Sequence, residues 1–273
     1  MLHGKIVLEE AYEEPDKVEA KRALLGERLE LSKKHGIGYT ILSVTGPGCQ
    51  MIVDPDEAAR EAGRLNDHLY EQIKDSREHF GGFASLSMHD PVQAGEELRR
   101  CVKELDFHGA LLYNFQHAGA DAYTWHFYDE PRYDAFWAVC VELNVPIYIH
   151  PSLPAGYHDE AFEKAYSGLE GKYLVGPPFQ FATGVSLHLL RIIVSGVFDR
   201  FSFLQIIHNL YITTSGDFYT PALKYVVEEV GVERVLFSVD YPYETIERAV
   251  GVEGYVDVGK GNARRLFGLE GEE

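Results

Sequence analysis

The stretch Pro146 to His150, PIYIH, is the part of the sequence that decides the fold class. It is a short apolar run that ends in one polar side chain directly before Pro151, and segments of helical period flank it. Seven further runs of this kind are Lys5 to Glu9, Tyr39 to Thr45, Phe80 to Met88, Phe107 to Asn114, Leu204 to Ile207, Leu210 to Gly216 and Arg234 to Asp240. Because strand-like runs alternate with helical segments, they predict parallel strands joined by crossover helices. Eight of them in 273 residues predict a TIM-type (β/α)8 barrel, one domain over residues 1–273, since such barrels typically have about 250 residues.

Helix starts and apolar stripes support this reading. Asp54-Pro55 and Asp90-Pro91 each place an Asp where it can cap a helix and a Pro at the first helical position. Two sets of apolar residues recur at steps of three and four and predict helical stripes that lie on the sheet. They are Ala94, Leu98, Cys101, Val102 and Leu105 in one helix, and Leu187, Leu190, Val194 and Val197 in another. The helix near Tyr133 to Leu143 is interpreted as core packing through Phe136, Trp137 and Cys140.

One junction does not fit a regular barrel. Only His208 and Asn209 separate the run that ends at Ile207 from the run that begins at Leu210. Neighbouring parallel strands need a crossover of about a dozen residues or more, so these two runs cannot be adjacent parallel strands. Either Leu204 to Gly216 is one long strand, or a strand and its helix are missing. We therefore expect a barrel that is incomplete or distorted around strands six and seven.

Charge and composition narrow the possible partners. The chain has 25 Lys and Arg against 43 Asp and Glu, a formal charge of -18, which disfavours nucleic acid and anionic membranes. An anionic substrate would need a local positive centre, which a divalent cation can supply. The three cysteines, Cys49, Cys101 and Cys140, form no C-x-x-C pair and are interpreted as core thiols. With no secretory segment or long apolar stretch in the sequence, the expected compartment is the cytoplasm.

Polar residues that end apolar runs are the candidate site. In a barrel of this kind the chemistry lies at the C-terminal ends of the strands. Glu9, His150 and Asp240 end the first, fifth and eighth runs. Two carboxylates and one imidazole form an oxygen and nitrogen ligand set that suits Zn²⁺, Mn²⁺ or Mg²⁺. His89 and His117 follow the third and fourth runs and are weaker candidates for the same mouth.

Around these residues the sequence resembles the amidohydrolase-related decarboxylases of 2,3-dihydroxybenzoate and γ-resorcylate. The resemblance covers nearly the whole chain. The segments that carry it are GKIVLEEAY (Gly4 to Tyr12), HGIGYTILSVTGPGCQ (His35 to Gln50), GGFASLSMHDP (Gly81 to Pro91), YIHPS (Tyr148 to Ser152), VGPPFQFATGVSLHLL (Val175 to Leu190), GVFDRFSFLQII (Gly196 to Ile207), LYITTSGDF (Leu210 to Phe218), LFSVDYPYE (Leu236 to Glu244) and GKGNARRLFGL (Gly259 to Leu269).

The resemblance implies a metal-dependent amidohydrolase-like barrel that removes CO₂ from a hydroxybenzoate without a redox cofactor. Glu9, His150 and Asp240 match the family's metal ligands, and Asp240 would also deliver a proton to the ring carbon. Pro178 and Phe179 would line the ring pocket. The sequence Glu9-Glu10-Ala11 lacks the Glu-x-His pattern of some members, which favours the dihydroxybenzoate type. A small aromatic carboxylic acid and further copies of the same chain are the expected partners.

The sequence departs from the family after Ile207. Members continue with a Gly-His-Leu-Gly-Glu stretch and a long helical excursion, which supply a catalytic histidine with its carboxylate partner, and this chain lacks both. His208 is the candidate substitute, although it stands two positions earlier than the family's histidine. Two alternatives to an active decarboxylase follow: a metal-dependent hydrolase on the same barrel, and a non-catalytic, truncated family member.

Overall fold

The computed structural model describes residues 5–12, 25–44, 48–119, 121, 124–152, 179–204, 212–214, 218–241, 243–250, 261–267 and 269, with only the backbone of 8–12, 179 and 180. Its strands are β1 (Lys5–Tyr12), β2 (Ile37–Val44), β3 (Phe80–Gly82), β4 (Ala110–Tyr113), β5 (Gln116–His117), β6 (Trp125–His126), β7 (Ile147–His150), β8 (Ile212–Thr213) and β9 (Val235–Leu236). Its helices are α1 (Leu25–Lys34), α2 (Pro55–Ile73), α3 (Pro91–Lys103), α4 (Asp134–Leu143), α5 (Phe179–Val194), α6 (Val197–Arg200), α7 (Thr220–Val230), α8 (Ile246–Val250) and α9 (Gly261–Phe267).

The strands that belong to the barrel pair in parallel. β1 pairs with β2 and β2 with β3, β4 pairs with β7, and β8 pairs with β9. A bridge between Ala84 and Ala110 continues the order from β3 to β4. β5 and β6 form a small antiparallel hairpin beyond the end of β4. Seven of the eight predicted runs therefore contain a strand, whereas residues 205–207 of the remaining run lie outside the described residues.

Side chains alternate between two sides of this sheet, as in a TIM-type barrel. One apolar cluster collects every second residue of the strands and forms the interior: Ile6, Tyr39, Ile41, Phe83, Leu111, Tyr113, Tyr148 and Leu236. The intervening residues, such as Val7, Leu42 and Leu112, pack instead in clusters with the helices. Because residues from β1, β2, β4, β7 and β9 meet in one interior, these strands surround a common core.

The distortion predicted around strands six and seven concerns the chain between β7 and β8, where residues 153–178 and 205–211 lie outside the described residues, so it stays a prediction. Within the described residues these two strands belong to separate sheets. Tyr148 Oη lies 2.9 Å from Thr213 Oγ1, so a hydrogen bond between side chains joins the two sheets. The prediction that Leu204 to Ile207 and Leu210 to Gly216 do not pair in parallel stays a prediction, because residues 205–211 lie outside the described part of the chain.

The helix starts are confirmed. Asp54 caps α2 and accepts a hydrogen bond from Glu57 N at 2.8 Å, and Asp90 caps α3 and accepts one from Val92 N at 2.8 Å. The predicted stripe on α3 packs in the core, and Phe136, Trp137 and Cys140 of α4 are buried. All three cysteines are free and buried, which agrees with core thiols. No helix in the described ranges is long and apolar enough to cross a membrane.

The stripe predicted on α5 is wrong for three of its four members. Leu187, Leu190 and Val194 are 56%, 57% and 81% exposed, whereas Val197, which lies in α6, is buried. The buried face of α5 instead carries His188 and Ile192. Periodicity identifies an apolar stripe but does not say which side of the helix meets the sheet, and α5 is apolar on both sides.

The N-terminal ends of the strands are closed by α9. Phe267 packs with its ring centroid 5.9 Å from that of Phe83 and 5.7 Å from that of His108. His108 precedes β4, and its Nε2 lies 2.7 Å from Tyr39 Oη at the start of β2. Asn262 anchors the same helix by donating to the carbonyls of Val232 and Val235, both at 2.7 Å. The opposite end, where the strands finish, is therefore the barrel mouth.

We expect the free energy of unfolding to fall as the pH drops from about 6.5 to 4. Burial lowers the pKa of His108 and of His188 from 6.5 to about 4, because the fold accommodates the neutral rings. The unfolded chain takes up these protons first, so acid favours unfolding, and above pH 6.5 this contribution is constant. At about 1.4 kcal/mol per pKa unit, each ring contributes about 3 kcal/mol. Urea unfolding across this pH range should show the slope, and His108→Phe should remove about half of it; an unchanged slope in the variant would contradict the assignment.

Candidate active site

The three predicted metal ligands lie toward the C-terminal ends of parallel strands. Glu9 lies in the second half of β1, His150 is the last residue of β7, and Asp240 follows β9. The strands that carry them pack around the same interior, and β1 and β9 share both the inner and the outer apolar cluster. The backbone therefore directs all three residues toward the same end of the barrel.

A β-bulge in β1 sets the register of Glu9. Val7 is paired with Thr40 and Glu10 with Leu42, so β1 has one more residue than β2 over this interval. In a regular strand Glu9 would share the register of Val7, which packs against the helices. The extra residue shifts the register by one before Glu10, and bulges of this kind are frequent beside active sites. The side chain of Glu9 lies outside the described residues, so its role as a ligand stays a prediction.

His150 is held by both its backbone and its ring. It is paired with Tyr113 of β4, and Asn114 N donates to His150 O at 3.0 Å. The ring centroid lies 5.3 Å from that of Tyr113 and 6.4 Å from that of Phe181 on α5. His150 Nδ1 lies 2.6 Å from Pro151 O. A carbonyl can only accept, so Nδ1 carries the hydrogen in this contact, and Nε2 is then the ring nitrogen that could bind a metal.

Asp240 has an unusual backbone conformation. Its φ is +70°, in the left-handed region, which Asp tolerates better than most residues. Asp240 O accepts a hydrogen bond from Glu244 N at 3.0 Å, so the chain turns sharply after β9. Such conformations concentrate at sites where the surrounding structure holds a side chain in one position. The sequence shows the strand end but not this turn.

Arg28 of α1 supports the turn that follows Asp240 through contacts with Tyr241. It is 1% exposed, its Nη2 donates to Tyr241 O at 3.4 Å, and its guanidinium lies 4.6 Å from the centre of the Tyr241 ring. Tyr241 directly follows Asp240, so Arg28 is a positioning residue for the carboxylate. No motif in the sequence identified it, since a helical arginine is usually exposed.

We expect Arg28→Met to weaken metal binding about tenfold, within the 10 to 100-fold range typical of residues that support a ligand. Methionine fills similar space but cannot donate to Tyr241 O. Arg77→Met is the matched control, because Arg77 donates to the carbonyls of Leu105 and Asp106 at the closed end of the barrel. Calorimetric titration of both folded variants with Mn²⁺ decides the matter. Equal affinities in the two variants would refute the positioning role.

Asn114 is a mouth residue that the sequence analysis missed. Its Oδ1 accepts a hydrogen bond from Ser152 N at 2.8 Å, which fixes the segment after His150. A Cβ on Gly184 of α5 would lie 2.9 Å from Asn114 Nδ2, so the missing side chain at Gly184 allows α5 to approach the mouth. Asn114 is the polar end of the run Phe107 to Asn114, and the rule that selected His150 would have selected it too.

The two weaker histidine candidates, His89 and His117, lie in and around the β5–β6 hairpin. His89 Nε2 lies 2.9 Å from Ile52 O, and its ring packs edge-on against His126, with the centroids 6.1 Å apart. His117 is buried in the β5–β6 hairpin, and neither ring nitrogen has a hydrogen-bond partner there. Beneath the hairpin Gln50 accepts from Tyr113 N at 2.9 Å and donates to Phe115 O at 3.2 Å, which holds the end of β4.

The described donors fit a divalent cation. His150 offers an imidazole nitrogen, and Asp240 offers a carboxylate on a turn that its backbone hydrogen bond to Glu244 N closes. Among the described side chains no group of three or more His, Cys, Asp or Glu is arranged around one point, and Glu9 is not among those side chains. His208 and Pro178 lie outside the described residues, and Phe179 is described by its backbone alone.

Comparisons with known proteins agree with this architecture. The amidohydrolase family model matches residues 18–209. The gamma-resorcylate decarboxylase of Rhizobium sp. (strain MTP-10005) is 33% identical over 99% of this chain and 100% of its own length. The 2,3-dihydroxybenzoate decarboxylase of Aspergillus niger is 27% identical over 72% of this chain and 99% of its own. The crystal structure of dihydroxybenzoic acid decarboxylase from Polaromonas sp. JS666, with bound manganese and the inhibitor 2-nitroresorcinol, has a TM-score of 0.86 at 30% identity, covering 98% of each chain.

The comparison with the Rhizobium enzyme also bears on the missing stretch. The alignment spans 333 positions and this chain has 273 residues, so at least 60 positions, the difference between the two lengths, have no counterpart here. Both chains are matched almost from end to end, so these positions are internal. These unmatched positions agree with the prediction that the chain lacks an internal stretch of the family. The prediction that the stretch is missing directly after Ile207 stays a prediction. The family model and the 33% identical relative, in agreement with the barrel fold, show that the chain belongs to the amidohydrolase family.

Proposed function

We propose that the chain is a metal-dependent, non-oxidative decarboxylase of a hydroxybenzoate whose hydroxyl stands beside the carboxylate. The observation that carries the proposal is His150, the last residue of β7, whose Nδ1 lies 2.6 Å from Pro151 O, in a chain whose 33% identical relatives are decarboxylases. Glu9, His150 and Asp240 would hold the metal. Zn²⁺, Mn²⁺ and Mg²⁺ all suit this set, and Mn²⁺ is the metal in the Polaromonas relative.

A bound divalent cation would supply the positive centre that draws the carboxylate and phenol oxygens of the substrate into an acidic protein. The remaining steps belong to the chain's own residues. Tyr113 and Phe181, whose rings flank His150, provide apolar walls for the aromatic ring. Asn114 accepts the hydrogen bond of Ser152 N and so restrains the segment that follows the proposed histidine ligand.

Proton delivery falls to Asp240 in this proposal. The bond between the ring carbon and the carboxylate carbon breaks, and its electron pair stays on the ring. A proton from Asp240 joins that carbon as CO₂ leaves, and solvent then reprotonates the aspartate. The products are one CO₂ and one phenol, with no oxidant or reductant consumed. His208 would assist this proton transfer in the place of the histidine that relatives carry in the missing stretch.

Turnover should be lower than in a family member that retains the missing stretch. Groups that act as a unit in catalysis fail together when one is lost, often by orders of magnitude. An opened barrel would also admit water and weaken the hold on an anionic ring. A second candidate function follows from the same observation of at least 60 unmatched positions, the difference between 333 and 273: a non-catalytic member that keeps the barrel and the metal site.

The substrate is best sought among two acids. Overall identity is higher to the gamma-resorcylate enzyme, whereas Glu9-Glu10-Ala11 resembles the 2,3-dihydroxybenzoate type. The test is to strip the purified chain with chelator, reload it with Mn²⁺, Zn²⁺ or Mg²⁺, and incubate it with 2,6- or 2,3-dihydroxybenzoate. We expect slow, metal-dependent formation of resorcinol or catechol. A chain that binds one metal and forms neither product would be the non-catalytic member, and water-consuming cleavage of an ester or amide would indicate a hydrolase.

A further inference from the structure

His117 of β5 is a buried histidine that the fold leaves without a hydrogen-bond partner. The residue is 5% exposed, and neither Nδ1 nor Nε2 of its ring is paired. A neutral imidazole carries one N–H and one lone pair, so both a donor and an acceptor are unsatisfied. Unpaired polar groups in the interior destabilise a fold, and each of them therefore needs a reason.

The preceding residue, Gln116, shows that the fold satisfies buried polar groups in this part of the chain. Its Oε1 accepts a hydrogen bond from Met88 N at 2.9 Å, and its Nε2 donates to Gln50 O at 3.0 Å and to Ile52 O at 3.2 Å. His126 is paired in register with Gln116 and shares its side of the β5–β6 hairpin. The unpaired imidazole therefore lies on the other side of the hairpin.

The backbone stays extended from the end of β4 into the hairpin. Gln50 Nε2 donates to Tyr113 O at 3.5 Å and to Phe115 O at 3.2 Å. Asn114 N donates in the other direction, to His150 O at 3.0 Å. Successive residues thus turn their backbone groups to opposite edges, as they do in a strand, so every second side chain from Tyr113 onward lies on the same side.

The hairpin side that carries His117 continues the side of β4 on which Tyr113 lies. Tyr113 belongs to the barrel interior, and its ring centroid lies 5.3 Å from that of His150. Phe115 and His117 follow on this side. Trp125, which is paired in register with His117, stacks on Phe115 with the ring centroids 4.9 Å apart. Phe115, His117 and Trp125 therefore form an aromatic wall that holds one unpaired imidazole.

We propose that His117 is a specificity-determining residue of the candidate active site, which forms a hydrogen bond with the second ring hydroxyl of a dihydroxybenzoate. The identity of this ligand rests on the proposed function. The carboxylate and the hydroxyl beside it would face the metal, so the second hydroxyl is left for the protein to recognise. A hydroxyl can donate and accept, which matches a neutral imidazole. A site built to bind a substrate hydroxyl rejects an analogue without it, because the buried polar group of the site then stays unpaired.

The binding test uses 2-nitroresorcinol and 2-nitrophenol, which differ by one hydroxyl and have no carboxylate to lose. 2-Nitroresorcinol is the inhibitor in the structure of the Polaromonas relative. In calorimetric titrations the full chain loaded with Mn²⁺ should bind 2-nitroresorcinol about tenfold more tightly than 2-nitrophenol, and His117→Phe should bind the two equally. His126→Phe is the matched control, because His126 lies on the opposite side of the same hairpin, and it should keep the wild-type preference.

A His117→Phe variant that keeps the preference would overturn the inference, as would a wild type that binds both compounds equally or binds neither. Because neither compound can release CO₂, this result is independent of turnover. A wild type that prefers 2-nitroresorcinol through His117 but decarboxylates neither acid would support the inference and contradict the proposed function.

The second test separates a binding role from a structural one. Phenylalanine has a shape similar to that of histidine and removes the two unpaired groups, so His117→Phe should unfold at the same urea concentration as the wild type or at a higher one. His117→Gln restores a donor and an acceptor and should recover part of the preference for 2-nitroresorcinol. A His117→Phe variant that is less stable than the wild type, or that does not fold, would show that the fold needs the imidazole and would overturn the inference.

Discussion

Replacing Asp240 by Asn should abolish metal-dependent CO₂ release, with a loss in kcat/KM on the order of 10³-fold or more. Asn occupies the left-handed region as readily as Asp, so the φ of +70° and the turn to Glu244 should survive the substitution. What is lost is the negative charge toward the metal and the acid that protonates the ring carbon. Because both functions depend on the same carboxyl, the loss should exceed that of a residue with one role.

The matched control is Asp106→Asn. Asp106 also has a positive φ, +55°, and stands at the closed end of the barrel, where its carboxylate pairs with Arg77. The same chemical change in the same backbone region should leave metal affinity and CO₂ release within about twofold of the wild type, since surface substitutions of this kind rarely act at a distance. Steady-state rates and metal titrations on both variants give the comparison. Comparable activity of Asp240→Asn and Asp106→Asn would remove Asp240 from the site.

Replacing His150 by Gln should weaken metal binding by more than about 100-fold, because even residues that only support a ligand cost 10 to 100-fold when lost. Gln retains a polar side chain and the pairing of β7 with β4, which is made by the backbone. It cannot present an imidazole nitrogen between Tyr113 and Phe181. The activity of this variant should fall as the fraction of chains that hold the metal falls, and it should recover in part at high metal concentration.

The control for this second variant is His79→Gln, a partly exposed histidine before β3 at the opposite end of the strands. Metal content after dialysis and the metal concentration at half-maximal activity are the measurements. If His150→Gln retains the metal as tightly as His79→Gln, His150 is a structural residue and the ligand set proposed for the mouth is wrong.

Residues at the ends of apolar runs were the most informative part of the sequence. A polar side chain terminates each of the runs that end in His150 and Asp240, and in the structure His150 is the last residue of β7 whereas Asp240 lies four residues beyond the end of β9. The caps Asp54 and Asp90 were predictable for a similar reason, since capping depends on a few neighbouring residues. Asn114 obeyed the same rule and was overlooked.

Features that depend on distant neighbours could not be predicted. The bulge before Glu10 exists only relative to β2, and the support that Arg28 gives to Tyr241 spans two elements at opposite ends of the chain. The paired part of the run Arg234 to Asp240 is only Val235–Leu236, because pairing needs a partner strand and β8 is equally short. The face of α5 was misassigned because a helix that is apolar on both sides has no single stripe to read.

The central claim is that the metal-loaded chain removes CO₂ from a hydroxybenzoate without redox chemistry. The most direct measurement incubates the Mn²⁺-loaded chain with carboxyl-¹³C-labelled 2,6-dihydroxybenzoate in D₂O, with a parallel sample of 2,3-dihydroxybenzoate. The account predicts one labelled CO₂ per phenol formed, deuterium at the carbon that carried the carboxylate, and loss of both signals in chelator or in Asp240→Asn. Full metal occupancy with no labelled CO₂ from either acid, at protein concentrations approaching those of the substrate, would contradict it.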